Sequence, residues 1–399
     1  MLANVKSVFT VLLLLGLVNA ETQESELLDV LNVNGTEYLH PRFAPNTDQM
    51  LRFISRWQNP SNCSNAKFLV WEWRLHSNGI GSDLHVMSVA LAIAMKTGRL
   101  LTLHPGENYP WLPWALDRSR CPTLNMDCFF EPLTHCTILE SDMTSAQLIN
   151  PSLNGKRKVC SSSRVSHHSL LTCFLIPPSQ VRILELGANG ELYGKYRKLI
   201  PKVLKSPYGG PSLRPAKFLT LGMYRAIAAT YFLRYNSRFK VQLAEGVKRA
   251  TPAGGMPPCI TVHVRHGDKG TEMALHPLSD YMDAVERMRK EYPAVSGINT
   301  IMLSTEDEHV IEETRQYAAY RFIFTEHPRH NEFSPMEQAK RIGYNETLNS
   351  FINLELSMLC QGFVLTTGSN WSRLLDELRL TRGKWNTPVI DIEPGQWKR

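Results

Sequence analysis

The chain has 399 residues, of which 43% are apolar and 20% charged, and its formal net charge is +7. These values exclude a disordered chain, which lacks the apolar groups for a core, and a multi-span membrane protein, which has a surplus of them. The length suffices for two α/β lobes with separate cores, and the mild positive charge suits a phosphorylated ligand as well as it suits an ordinary soluble surface.

In residues 1–20, Lys6 precedes an apolar run from Val8 to Val18, and Ala20 offers a small residue at a cleavage point. The run is shorter than the ~20 residues of a bilayer span, so a signal peptide is expected, with a short signal anchor in the membrane as the alternative. Either one routes the body into the secretory pathway. Asn34, Asn62, Asn345 and Asn370 head glycosylation sequons, and Asn370, in a site loop, is expected to stay bare. Eight cysteines in an oxidising compartment predict disulfides, chiefly within the Cys121–Cys173 cluster. Cys259 and Cys360, in apolar strand and helix contexts, are expected to be buried thiols.

Residues 21 to about 60 form a polar lead-in with one helix near Asp48–Trp57. Lys67–Arg74 reads as a strand, Leu84–Thr97 as an apolar helix ending at Gly98, and Leu100–His104 as the next strand, which together make a βαβ unit. Between strand and helix, Gly79-Ile80-Gly81 makes a turn at a helix N-terminus. Such a turn can hold a phosphate, and it also needs glycine for purely conformational reasons. Tyr109–Cys173 is a Pro-, Trp- and Cys-rich excursion in which Trp111 and Trp114 are sugar-stacking or local core aromatics. Lys195 to Lys205 is a basic stretch, read as a solvated face. A helix spans Phe218 to about Val247, and the Gly/Pro run at 250–258 marks a boundary between a lobe at 21–250 and a lobe at 251–399.

The second lobe alternates strand and helix. Strands are expected at Ile260–Arg265, Thr300–Thr305, Arg321–Thr325, Gly362–Thr367 and Pro388–Ile392. Helices are expected at Leu278–Glu291, His309–Tyr317, Glu346–Cys360 and Asn370–Leu380. This is the pattern of a parallel, Rossmann-type sheet.

His263 and Arg265 lie two residues apart on one strand face, which then empties into His266-Gly267-Asp268-Lys269-Gly270. The guanidinium fork suits phosphate oxygens. The spacing of His263, Arg265 and Asp268, the following Lys269 and Gly270-Thr271-Glu272, and then His276-Pro277 and Tyr281 resemble the α-1,6-fucosyltransferases within the GDP-fucose-dependent superfamily. The resemblance implies a GT-B fold of two Rossmann-like lobes with a cleft between them. It implies an inverting transfer of fucose from GDP-fucose to an N-glycan core or related GlcNAc-containing oligosaccharide, in the Golgi lumen, with a glycan or glycoprotein as acceptor. A protein O-fucosyltransferase, or a secreted carbohydrate-binding protein without turnover, is the alternative.

By the same resemblance Arg265 takes the β-phosphate and Glu272 is the general base. One residue is missing between Lys269 and Gly270 relative to the family. His263, Asp268, Lys269, Tyr281, Asp307, Ser369 and the Gly79–Gly81 turn line the donor, while Asp268 and Lys269 read equally well as a structural pair. Asn353 stands where a guanine-reading aspartate is expected. No cofactor or metal is expected: Glu306-Asp307-Glu308 and Asp391-Ile392-Glu393 are the only approximations to an Asp-x-Asp site, and a helix dipole accounts for the first. No nucleic-acid partner is indicated.

Overall fold

The computed structural model describes residues 45–72, 79–96, 98–103, 112–139, 221–329 and 335–393, with the strands at 147–149, 159–161, 173–174 and 183–187. The N-terminal signal or anchor, Asn34, Trp111 and the basic stretch 195–205 lie outside these residues. No described helix is long and apolar enough to cross a membrane.

The chain divides into two units. One comprises 1–76, 84–110 and 132–232, the other 77–83, 111–131 and 233–399. In the first unit helix α1 (Pro45–Gln58) precedes β1 (Phe68–Glu72), α2 (Ile80–Lys96), whose first turn to Asp83 belongs to the second unit, and β2 (Leu100–Leu103). Strands β3 (Gln147–Ile149), β4 (Val159–Ser161), β5 (Cys173–Phe174) and β6 (Ile183–Gly187) complete a sheet of order β2-β1-β6-β3-β4-β5. Its β2, β1, β6 and β3 neighbours run parallel, while β3, β4 and β5 pair antiparallel. The βαβ unit is as expected, except that α2 begins at Ile80, so Gly81 lies inside its first turn. Phe68 and Val70 of β1 pack with Leu100 and Ile138, and the buried Gln58 amide binds both backbone groups of Leu101 at 2.8–2.9 Å.

After the short helix α3 (Leu112–Ala115), the helix expected over Phe218–Val247 is two helices, α4 (Leu221–Phe232) and α5 (Ser237–Ala250). Asn236 breaks them: its carboxamide oxygen caps Phe239 N at 2.8 Å. The second unit continues through β7 (Ile260–His263), α6 (Leu278–Glu291), β8 (Thr300–Ser304), α7 (Glu308–Glu313) and β9 (Arg321–Ile323). It ends with α8 (Pro335–Leu359), β10 (Gly362–Leu365), α9 (Asn370–Thr381) and β11 (Val389–Asp391). Every strand pair is parallel, in the order β11-β10-β7-β8-β9. The chain is thus α/β, with two units each built on its own sheet and the second of Rossmann type.

Residues 111–131 join the second unit through an aromatic cluster. Phe129 lies 5.1 Å edge-on to Phe239 and 5.0 Å from Tyr344, and Phe130 lies 5.4 Å from Phe351. Trp114 is buried there and packs as core. Helix α8 kinks at Gly343, whose positive φ of 39° and close approach to Leu116 admit no side chain.

Disulfides join Cys63 to Cys136 and Cys121 to Cys128. A third corrects the expectation of buried thiols: Cys259 and Cys360 are bonded to each other. Each cysteine immediately precedes a strand or its last lead-in residue, and the neighbours β7 and β10 pair in register from Ile260 and Gly362. Adjacent strand starts bring the two sulfurs together, a long-range consequence that local apolar context does not reveal.

Candidate functional site

The order β11-β10-β7-β8-β9 contains one reversal. From β7 the chain steps outward to β8 and β9, then crosses back over β7 to β10 and β11. The loops leaving β7 and β10 therefore diverge at their carboxyl ends, which is where open parallel sheets receive ligands. His263, Arg265 and the segment after them lie at one side of this point, and Thr366 to Asn370 at the other.

Across it, His263 Nδ1 meets Ser372 Oγ of α9 at 2.6 Å. Ser372 Oγ also accepts Thr366 N at 3.3 Å, so one hydroxyl ties β7 to the turn after β10. His263 is buried, and burial first, then the nearby Arg265 charge, lower its pKa to about 3. It is a neutral imidazole throughout the physiological range.

Arg265 is 7% exposed. Its guanidinium donates to the Glu306 carboxylate after β8 and, at 2.7 Å, to the carbonyl of His266. Glu306 Oε1 also accepts His266 N at 2.7 Å. Tyr281 is fully buried beside Thr366 and the backbone of Arg265, and burial raises its phenol pKa.

His266, not singled out from sequence, uses both ring nitrogens and its backbone N–H in bonds to neighbouring segments. Its Nδ1 lies 2.8 Å from Asp307 Oδ2 and its Nε2 2.8 Å from the carbonyl oxygen of His276. Burial alone pulls its pKa down, but the bonds to His276 and Asp307 and the charges of Asp307 and Glu306 raise it overall. Asp307 also caps α7, accepting His309 N at 3.0 Å.

The 3-10 turn Gly267–Thr271 follows. The Asp268 side chain lies outside the described residues. Lys269 pairs with Glu272, whose side chain is 62% exposed while that of the lysine is 13% exposed. The loop closes at His276, which bonds Asp280 at 2.9 Å and stands 3.4 Å from Glu393. Glu393 in turn accepts Thr366 Oγ1 at 3.3 Å. These contacts connect the ends of four strands, but Glu272 faces Lys269 and solvent rather than the Arg265 pair.

The glycine turn is part of the same unit. A Cβ on Gly81 would lie 2.9 Å from the backbone carbonyl of Asn370, and the Asn370 amide donates to Ser82 Oγ. Glycine here lets the first turn of α2 touch the first turn of α9, which the buried Ser369 precedes without a side-chain cap bond. Gly79 and Ile80 lead into that contact. Asp83, in the same turn, is 1% exposed, and burial pushes its carboxyl pKa well up against a bond from Trp114. Burial thus disfavours its charged form.

Asn353 of α8 lies under the ends of β8 and β9. Its Nδ2 donates to Thr325 Oγ1 at 3.0 Å and Asn349 O at 2.9 Å, which fixes the amide orientation, because a carbonyl accepts only. Its buried Oδ1 has no partner among the described residues. One His/Cys/acid group among those residues is tight enough for a metal, Cys63 with His135 and Cys136, and its two sulfurs are already bonded to each other.

A parallel sheet with charged loops at its strand-order reversal is the type of α/β unit that receives ligands there. Residues 224–379 match the family model described as alpha-(1,6)-fucosyltransferase N- and catalytic domains. That stretch is similar to the α-1,6-fucosyltransferase family over about two fifths of the chain. An alpha-(1,6)-fucosyltransferase of Drosophila melanogaster is 26% identical over 314 residues, covering 76% of this chain and 43% of the relative. One of Caenorhabditis elegans is 24% identical over 281 residues, covering 67% and 42%. The chain spans less than half the length of these relatives. The crystal structure of the fucosyltransferase NodZ from Bradyrhizobium covers 82% of this chain and 97% of its own, at 13% identity and a TM-score of 0.43.

Proposed function

We propose that the chain is an inverting, GDP-fucose-dependent fucosyltransferase that acts on an N-glycan core or a related GlcNAc-containing oligosaccharide. The observation that carries this is the placement of Arg265, within the family-matched stretch, at the sheet reversal opposite the Ser369 turn. In this reading the acceptor oxygen bonds to C1 of fucose as C1 parts from the β-phosphate oxygen, which keeps the electron pair. Arg265 and the α9 N-terminus neutralise the departing diphosphate, and Glu272 takes the acceptor's hydroxyl proton. The solvent-facing carboxylate of Glu272 is accessible to an incoming sugar.

To receive a diphosphate, Arg265 exchanges Glu306 for phosphate oxygens. The reaction runs without a metal, because arginine and helix-terminal amides supply the positive charge. The chain works in a lumenal, oxidising compartment of the secretory pathway, as its disulfides favour. Incubation with GDP-fucose, free N-glycans, peptides and chitooligosaccharides, with and without chelator, tests the reading. Fucose on a glycan core supports it. Fucose on Ser or Thr, a requirement for metal, or glycan binding without turnover contradicts it.

A further inference from the structure

We propose that His266 is a positioning residue for the transfer reaction: held as an imidazolium between the cap of α7 and the entry to α6, it fixes the loop that carries Lys269 and Glu272. Hydrogen-bond stoichiometry is the ground for this. Nε2 lies 2.8 Å from the carbonyl oxygen of His276, an atom that only accepts, so Nε2 carries a hydrogen. Nδ1 lies 2.8 Å from the Asp307 carboxylate, so it carries one too. A neutral ring has a single N–H and leaves one of these acceptors facing a lone pair; the protonated ring satisfies both.

The charges around the ring agree. Glu306 and Asp307, from the turn between β8 and α7, face it, and Arg265, two residues past β7, donates to Glu306. At the entry to α6, His276 turns its own ring to Asp280 on that helix and to Glu393 after β11. Two carboxylates against one guanidinium leave a net attraction for the proton, and the pKa is raised although burial resists.

The bonds cross the loop: one anchors its start to α7, the other anchors that start to its end at residue 276. Between them sit the turn Gly267–Thr271 and the Lys269–Glu272 pair. Loss of the proton breaks one anchor. The carboxylate at Glu272 then gains freedom, which lowers the rate of an in-line transfer more than the affinity for donor. The kinetic part rests on the fucosyl-transfer reading; the titration and loop order do not.

The test is a side-chain nitrogen NMR titration of the full chain from about pH 5.5 to about 9, with backbone dynamics of residues 267–275 followed in parallel. Both His266 nitrogens should carry hydrogens above the ordinary histidine midpoint, Asp307→Asn should lower that midpoint, and the loop should loosen as the ring titrates. In the transfer assay, kcat should fall about tenfold per pH unit above the midpoint while KM for GDP-fucose holds. That limb should be absent in His266→Arg. A neutral His266 ring near pH 6, a loop whose order ignores the titration, or the same limb in His266→Arg overturns the proposal. If no fucose is transferred at any pH while ring and loop titrate together, the enzyme reading falls and the clamp stands.

Discussion

The guanidinium of Arg265 and the carboxylate of Glu306 neutralise each other at the ends of adjacent strands, with side chains 8% and 15% exposed. The strongest candidate phosphate donor is thus paired with an internal anion. Buried pairs of this kind cost several kcal/mol to break one-sidedly. Glu306→Gln should therefore lower stability by ~1–3 kcal/mol while tightening GDP, because a neutral amide competes less well than a carboxylate for the guanidinium. Calorimetry and a melting curve on one preparation read both, and weaker GDP binding would count against the exchange of partners.

Asp83 makes a pH-dependent prediction. Its folded pKa is raised above the unfolded value, so the folded state holds a proton that the unfolded chain has released. Stability from this group is therefore present below the unfolded carboxylate pKa, and falls as pH rises from there toward the folded value. Asp83→Asn removes that loss. It should raise Tm at neutral pH, with the gain shrinking toward about pH 4. A gain that is equal at both ends would place the effect elsewhere.

Gly81→Ala puts a methyl 2.9 Å from the backbone of Asn370, where no flexible side chain can yield. Separation of the first turns of α2 and α9 should cost ~1–3 kcal/mol by overpacking and weaken GDP. Wild-type Tm and GDP affinity in this variant would show that the contact is dispensable.

The Cys259–Cys360 bond closes a separation of 101 residues across β7 and β10. Replacing both cysteines by alanine should lower stability by ~2–4 kcal/mol. The unfolding free energy in denaturant, measured without reductant, checks this; equal stability of variant and wild type would contradict it.

If Asn353 faces the base, its unpaired oxygen takes one guanine N–H where a carboxylate takes two. Asn353→Asp should then raise the preference for GDP over inosine diphosphate about tenfold, the difference between neutral and charged bonds. Competition titration of the two nucleotides decides it, and an unchanged ratio removes Asn353 from base recognition.

The alternation of the second unit was legible because β7, β10 and β11 are short apolar runs with Gly or Pro at or near both ends and β8 is a branched apolar run, and every expected strand there exists. The break at Asn236 was not, since the apolar spacing continues through it and only the cap interrupts it. His263 and Arg265 stood out as a pair by their alternate positions in a strand pattern, although β7 ends at His263 and Arg265 lies two residues beyond it. Their partners Ser372 and Glu306 lie 109 and 41 residues away, and sheet order, which local pattern does not encode, brings them in. His266 escaped notice for the same reason: its role is set by Asp307 and by a backbone carbonyl, and the identity of His276 does not matter to that second bond.

Titration of GDP into wild type and Arg265→Ala, with chelator present, tests most directly whether this guanidinium receives the diphosphate. The account predicts measurable binding to wild type and its loss in the variant, with both proteins folded by circular dichroism. Equal affinity in the two, or wild-type binding that appears only when a divalent ion is restored, would contradict it.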